Sequence, residues 1–183
     1  MEALNPFKDG TPFHPALVHL PLGVSLVVPL LAFLATVAIW KGWVPKRTWW
    51  VIVLLQAMLV VGGAMGYQTG EREKDLVGGI IDDEPIEAHE HAAQTFMQAG
   101  AATLVVAVAA AFAAATKFAP IGHLLTTALS LLVLFLGMQA GHKGGRLVYI
   151  HDAAQAHLPE NTGEGDGDGK KKGGDDKDAD KDE

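Results

Sequence analysis

Residues 16–40 read ALVHLPLGVSLVVPLLAFLATVAIW, a run without one Asp, Glu, Lys or Arg. At 1.5 Å of rise per residue it exceeds the roughly 20 residues that carry an α-helix through about 30 Å of hydrocarbon. Three further charge-free runs follow, Thr48–Gly70, His91–Thr116 and Ile121–Gly141. Each is apolar around its whole circumference, whereas a helix on the surface of a soluble domain carries only an apolar stripe. A chain of 183 residues has no aqueous core large enough to hide four such helices. The expected fold is all-α, a four-transmembrane-helix bundle with helices at about 14–40, 48–70, 88–117 and 121–142.

Around these runs the charge is segregated. From Pro159 onward ten acids face five lysines, with no apolar run to bury. Residues 159–183 are expected to be a disordered acidic and Lys-bearing tail, and 1–158 the membrane domain. The Asp-Gly-Asp-Gly stretch at 166–169 lacks the flanking ligands and closing glutamate of a calcium loop. With a formal charge of -7 and no basic patch, no nucleic-acid partner is expected; the solvent of the chain is the lipid bilayer. Met1–Thr11 carries Glu2, Lys8 and Asp9, and the apolar run after it is too long for the core of a cleavable signal. The absence of cysteine excludes disulfides, thiolate metal sites and iron–sulfur ligation within the chain.

Pro15 and Pro21 suit the first turn of a helix, and Pro29 is expected to kink the middle of the first span. Trp40, Trp43, Trp49 and Trp50 cluster about the first loop as an interfacial belt would. That loop holds Lys41, Lys46 and Arg47, and the third loop Lys117, with no acid in either. By the positive-inside rule both loops are cytoplasmic, and both termini and the acidic 71–90 segment lie outside. The expected location is the bacterial inner membrane, as a multi-pass protein. The halves also echo each other. Gly66-Tyr-Gln-Thr-Gly-Glu71 overlays Gly137-Met-Gln-Ala-Gly-His142 at an offset of 71, and His19 precedes His91 by 72. Two pseudo-repeated helical hairpins are therefore expected.

Seven of eight histidines fall at the outer ends of the helices: His14, His19, His89, His91, His142, His151 and His157, with His123 at the opposite interface. Histidine near a bilayer is costly unless it is paired, ligating or wet, so a shared level suggests a site. The 72-residue offset makes His19 and His91 the facing pair, suited to be axial ligands of a haem b iron. His14, His142 and His151 are the further cofactor-binding candidates, as a second pair or as orienting partners. Gly62, Gly63, Gly66 and Gly70, with Gly137 and Gly141, can either admit a flat macrocycle or serve close helix packing. Zn or Cu accepts the same imidazoles, and a purely structural histidine network needs no cofactor at all. His89 and His157 read as solvated surface. No nucleophile–base arrangement is visible, so no stand-alone enzymatic activity is expected.

Phe13-His-Pro-Ala-Leu-Val-His-Leu-Pro-Leu-Gly23 and Gly141-His-Lys-Gly-Gly-Arg-Leu-Val-Tyr-Ile-His151 resemble the opening and closing motifs of a bacterial membrane family, domain of unknown function 2231. The likeness spans residues 13–151 and implies a four-helix membrane domain. It marks His14, His19, His142, Gly144, Gly145, Tyr149 and His151 as motif positions without assigning a role to any. Fusions in that family to Rieske or cytochrome-like modules imply redox partners, and an oligomer is compatible with this. Two positions depart from the pattern: Leu20 replaces a common phenylalanine, and Asp152 the usual glycine.

Overall fold

The computed structural model describes residues 13–79 and 81–157. The expected tail at 159–183 lies outside the described residues. Four long helices account for nearly all of the rest: α1 (Phe13–Trp40), α2 (Trp49–Gly78), α3 (Asp83–Phe112) and α4 (Ala119–Tyr149). Short 3₁₀ turns occupy Lys46–Thr48, Ala113–Ala115 and Ala153–His157, and the described residues contain no strand. All four helices are long and apolar enough to cross a membrane.

Each helix packs on two others: α1 on α2 and α4, and α3 on α2 and α4, a closed ring of four. Its outer wall is apolar, with Leu26, Leu30, Phe112 and Met138 all exposed. In water so continuous an apolar surface would drive aggregation, whereas against lipid tails it is isoenergetic with its solvent. The interior combines a few large side chains with alanine and valine. Val28, Ala32, Trp49, Ile52, Ala107 and Ala110 form one buried cluster, and Leu59, Phe96 and Val133 another. Buried hydroxyls are satisfied within their own helices: Thr36 donates to Ala32 O, Thr103 to Ala99 O, Thr126 to Gly122 O and Ser130 to Thr126 O.

Helix ends differ from the apolar runs in an instructive way. The second helix continues eight residues past Gly70, through Glu71-Arg-Glu-Lys-Asp-Leu-Val-Gly78. Glu, Arg and Lys are good helix formers in water, so leaving the hydrocarbon does not end the helix. Likewise α3 starts at Asp83, where Asp83 and Glu84 complement the positive end of the helix dipole. The acidic segment is thus made mostly of two helix ends, the last turns of α2 and the first of α3. Helix α1 stops where Gly42 takes φ +73°, with Gly42 N–H donating to Ile39 O and Trp43 N–H to Ala38 O. Pro21 and Pro29 both lie inside α1 without ending it. Trp49 leaves the expected aromatic belt: it is fully buried, and its Nε1–H donates to Ala107 O at 3.1 Å.

Helix α4 runs through Gly144 and Gly145 to Tyr149, so Gly144–Tyr149 continues the helix instead of folding over the bundle. The chain turns back only after it, where Asp152 adopts φ +57° and the last 3₁₀ turn packs against α4 and α2. Glycine sits in that region without strain, Asp tolerates it, and β-branched residues do not. Asp152→Gly is therefore expected to be neutral, and Asp152→Val to cost about 1–2 kcal/mol. Thermal unfolding in detergent checks this; a valine variant as stable as the parent would contradict the left-handed assignment.

Candidate functional site

Among the described residues, two histidines come together in the interior at the mouth of the bundle, the end shared by the start of α1, the connection between α2 and α3 and the end of α4. They are His14 on α1 and His89 on α3, with ring centroids 6.4 Å apart and planes at 81°. Both are partly buried. His14 Nδ1 lies 2.8 Å from Gly66 O and 3.2 Å from Thr69 Oγ1, both on α2. His89 Nδ1 lies 3.1 Å from Ala140 O on α4. A carbonyl only accepts, so each Nδ1 carries a proton, and in a neutral ring the lone pair is then on Nε2.

Glycine makes both seats possible. A Cβ on Gly70 would lie 3.0 Å from His14 Cε1, and a Cβ on Gly144 would lie 3.0 Å from His89 Cε1. The two half-sites match in numbering as well as in geometry. His89 is 75 residues after His14, Ala140 is 74 after Gly66, and Gly144 is 74 after Gly70. The overlay at 71 and 72 is therefore displaced by about one helical turn from the correspondence of contacts. That displacement is why His89, read as solvated surface, was missed.

The expected axial pair lies elsewhere. His19 is exposed, five residues from His14 and so about 140° around α1 at 100° per residue. His91 is exposed, two residues and about 200° around α3 from His89. Ligation of one interior iron by His19 and His91 does not fit these positions. His142 is exposed, two residues past buried Ala140. His151 is partly buried and lines a shallow groove of about 250 Å³ with Glu84, Pro85, Ala88, Lys143 and Arg146. The 3₁₀ turn Ala153–His157 ends at His157. His123, expected at the opposite interface, is buried inside the bundle at 2% exposure and stacks on Trp49 with ring centroids 3.9 Å apart. Among the described residues no group of three or more His, Cys, Asp or Glu is placed to hold a metal ion.

The glycines of α2 and α4 are filled by protein. Leu20 and Pro21 pack on Gly62, Met97 on Gly63, Val18 on Gly66, and Phe96 and Leu22 on Gly137. Beside the mouth, α2 and α3 are tied by a polar cluster that single-residue reading could not assemble. Lys74 Nζ lies 2.7 Å from Glu90 Oε2, while Gln94 Nε2 donates to Glu90 Oε1 at 3.1 Å and to Tyr67 Oη at 3.2 Å. Lys74, Glu87, Glu90, His91 and Gln94 surround an open depression of about 280 Å³.

The hydrogen bond and charge of Glu90 hold the Lys74 ammonium above its ordinary range. A lysine raised in the folded state stabilises below its unfolded value, and the contribution is lost as alkaline pH passes through the folded one. Lys74→Met is expected to change the unfolding midpoint slightly at neutral pH and low salt, and not at all in high salt, because exposed pairs are screened. A large, salt-independent drop in the midpoint would show that the pair is not behaving as a solvated one.

Compared with known families, curated proteins and solved structures, the chain matches none.

Proposed function

We propose that the chain is a multi-pass protein of the bacterial inner membrane that holds a b-type haem iron between His14 and His89 and relays electrons, without catalytic chemistry of its own. The observation that carries this reading is the spacing of the pair. The ring centroids of His14 and His89 lie 6.4 Å apart, a separation at which the two imidazoles would be able to hold one metal ion between them. The anchoring of each Nδ1–H to a backbone carbonyl supports it, since metal-bound histidines are oriented in that way. Bound there, the haem would supply one-electron transfer; the chain would supply the two imidazoles and the carbonyls that orient them.

Three further inferences belong with this reading. The halves derive from one duplicated hairpin, which is supported by buried counterparts 74 residues apart: Trp49 and His123, Gln56 and Ser130, Leu59 and Val133. Both termini face outward, which is supported by Lys41, Lys46, Arg47 and Lys117 in the two connections at the other end. Membership of the domain of unknown function 2231 family is supported by its two motifs, which contribute His14 and Gly144 to the site. Its Rieske and cytochrome-like fusions point to redox partners.

A second reading has its own observation. With Gly62, Gly66 and Gly137 already filled by side chains, the histidines act as clamps that tie α1 to α2 and α3 to α4. The protein is then a membrane scaffold without a cofactor. An absorption spectrum of detergent-purified protein with metal analysis separates the two. A Soret band with iron near one per chain supports the relay; a colourless, iron-free protein leaves the clamp, and zinc or copper in place of iron leaves a two-imidazole metal site.

A further inference from the structure

Far from the mouth, the core holds three polar atoms that no protein group satisfies. Both ring nitrogens of His123 and Oε1 of Gln56 are buried and have no hydrogen-bond partner among the described residues. His123 is 2% exposed and Gln56 0%. An unpaired buried polar group is costly anywhere, and more so with lipid outside. The cost is not one of loose packing, because Trp49 stacks on the imidazole at 3.9 Å and 26°.

Cross-helix hydrogen bonds give the levels of these groups. Gln56 Nε2 donates to Gly100 O, eleven residues along α3 from His89, or about 16 Å. Trp49 Nε1 donates to Ala107 O, so Trp49 and the stacked His123 lie about 27 Å from His89. The apolar layer of Leu59, Phe96 and Val133 separates Gln56 from the mouth. Toward the loop end, beside the apolar cluster of Trp49, Ile52 and Ala107, the buried hydroxyls of Ser130, Thr126 and Thr103 lie between the levels of Gln56 and His123. Each donates its proton to a carbonyl of its own helix, which leaves the hydroxyl oxygen able to accept.

We propose that the loop-end half of the core is a water-binding site, with His123 and Gln56 at its two ends and the oxygens of Thr103, Thr126 and Ser130 between them. Buried water needs two to four polar partners, which these groups supply. The roughly 10 Å between the two ends corresponds to on the order of three waters at hydrogen-bond spacing. Water held there extends no further toward the mouth than Gln56, because the Leu59–Phe96–Val133 layer offers it no partner. The mouth pair and the wet half are therefore separate sites, and neither requires the other.

The test uses the full chain in lipid bilayers, ¹⁵N-labelled at histidine, with magnetisation transferred from water protons in solid-state NMR. His123→Phe keeps an aromatic ring against Trp49 and identifies the His123 signals by their loss. The expected result is rapid transfer from water to the His123 nitrogens, with shifts of hydrogen-bonded imidazole. The thermal midpoint of His123→Phe is expected to stay level or fall, since a satisfied group is lost. Absence of water transfer at His123 overturns the proposal. So does a rise of several degrees in the His123→Phe midpoint, the result for a dry, unpaired imidazole replaced by an apolar ring.

Discussion

His14→Ala and His89→Ala proteins are each expected to emerge from purification without the Soret band of the parent, while His19→Ala and His91→Ala keep it. Removal of a partner that merely orients a metal ligand costs about 10–100-fold in affinity, so loss of a ligand should lower the haem-to-protein ratio at least that much. The contrast between the pairs is the decisive part. His14 and His89 approach each other to 6.4 Å across the interior, whereas His19 and His91 are exposed on other faces of the same helices. Loss of colour in His19→Ala or His91→Ala, with retention in His14→Ala, would reverse the assignment. Should the parent be colourless, the same substitutions report on the clamp. Each removes a partly buried histidine–carbonyl hydrogen bond and is expected to destabilise by about 1 kcal/mol.

Gly122→Ala is expected to destabilise the bundle by about 1–3 kcal/mol, and Gly63→Ala by much less, although Gly63 has the tighter contact. The difference lies in what gives way. A Cβ on Gly122 would stand 2.7 Å from Ala110 Cβ and 3.2 Å from Ala110 Cα, so α3 and α4 must separate. A Cβ on Gly63 meets the thioether end of Met97, which has three rotatable bonds to move away. Both substitutions recover up to about 1 kcal/mol of helix propensity, enough to leave Gly63→Ala near neutral. Unfolding in detergent, thermally or by SDS titration, ranks them; the opposite order would mean that the α3–α4 contact is looser than the structure indicates.

The four helices were legible because a bilayer demands long charge-free runs, and the runs stand out at 16–40, 48–70, 91–116 and 121–141. The ends were less legible, for a physical reason. Hydropathy reports where the hydrocarbon ends, not where backbone hydrogen bonding ends, and Glu71–Gly78 is helical beyond it. The site was half legible. His14 was marked by the opening motif, but its partner His89, at the start of the third helix among charged residues, read as solvated surface. The small-residue ladder of Gly62, Gly63, Gly66 and Gly70 also aligns with α4 almost as well when shifted by one turn. A register taken from His14 with His89 and from Gly70 with Gly144 would have found the pair. The orphaned polarity of His123 had no signature, since burial of a single residue at a span's end depends on which way its helix is rotated.

The contact between α1 and α4 closes the ring and sets the first and last of the four long helices side by side. No helix then has a privileged place as the beginning. A circular permutant opened in the 79–82 turn and joined from α4 back to α1 by a flexible linker should assemble the same bundle, with α3 and α4 threaded into the membrane before α1 and α2.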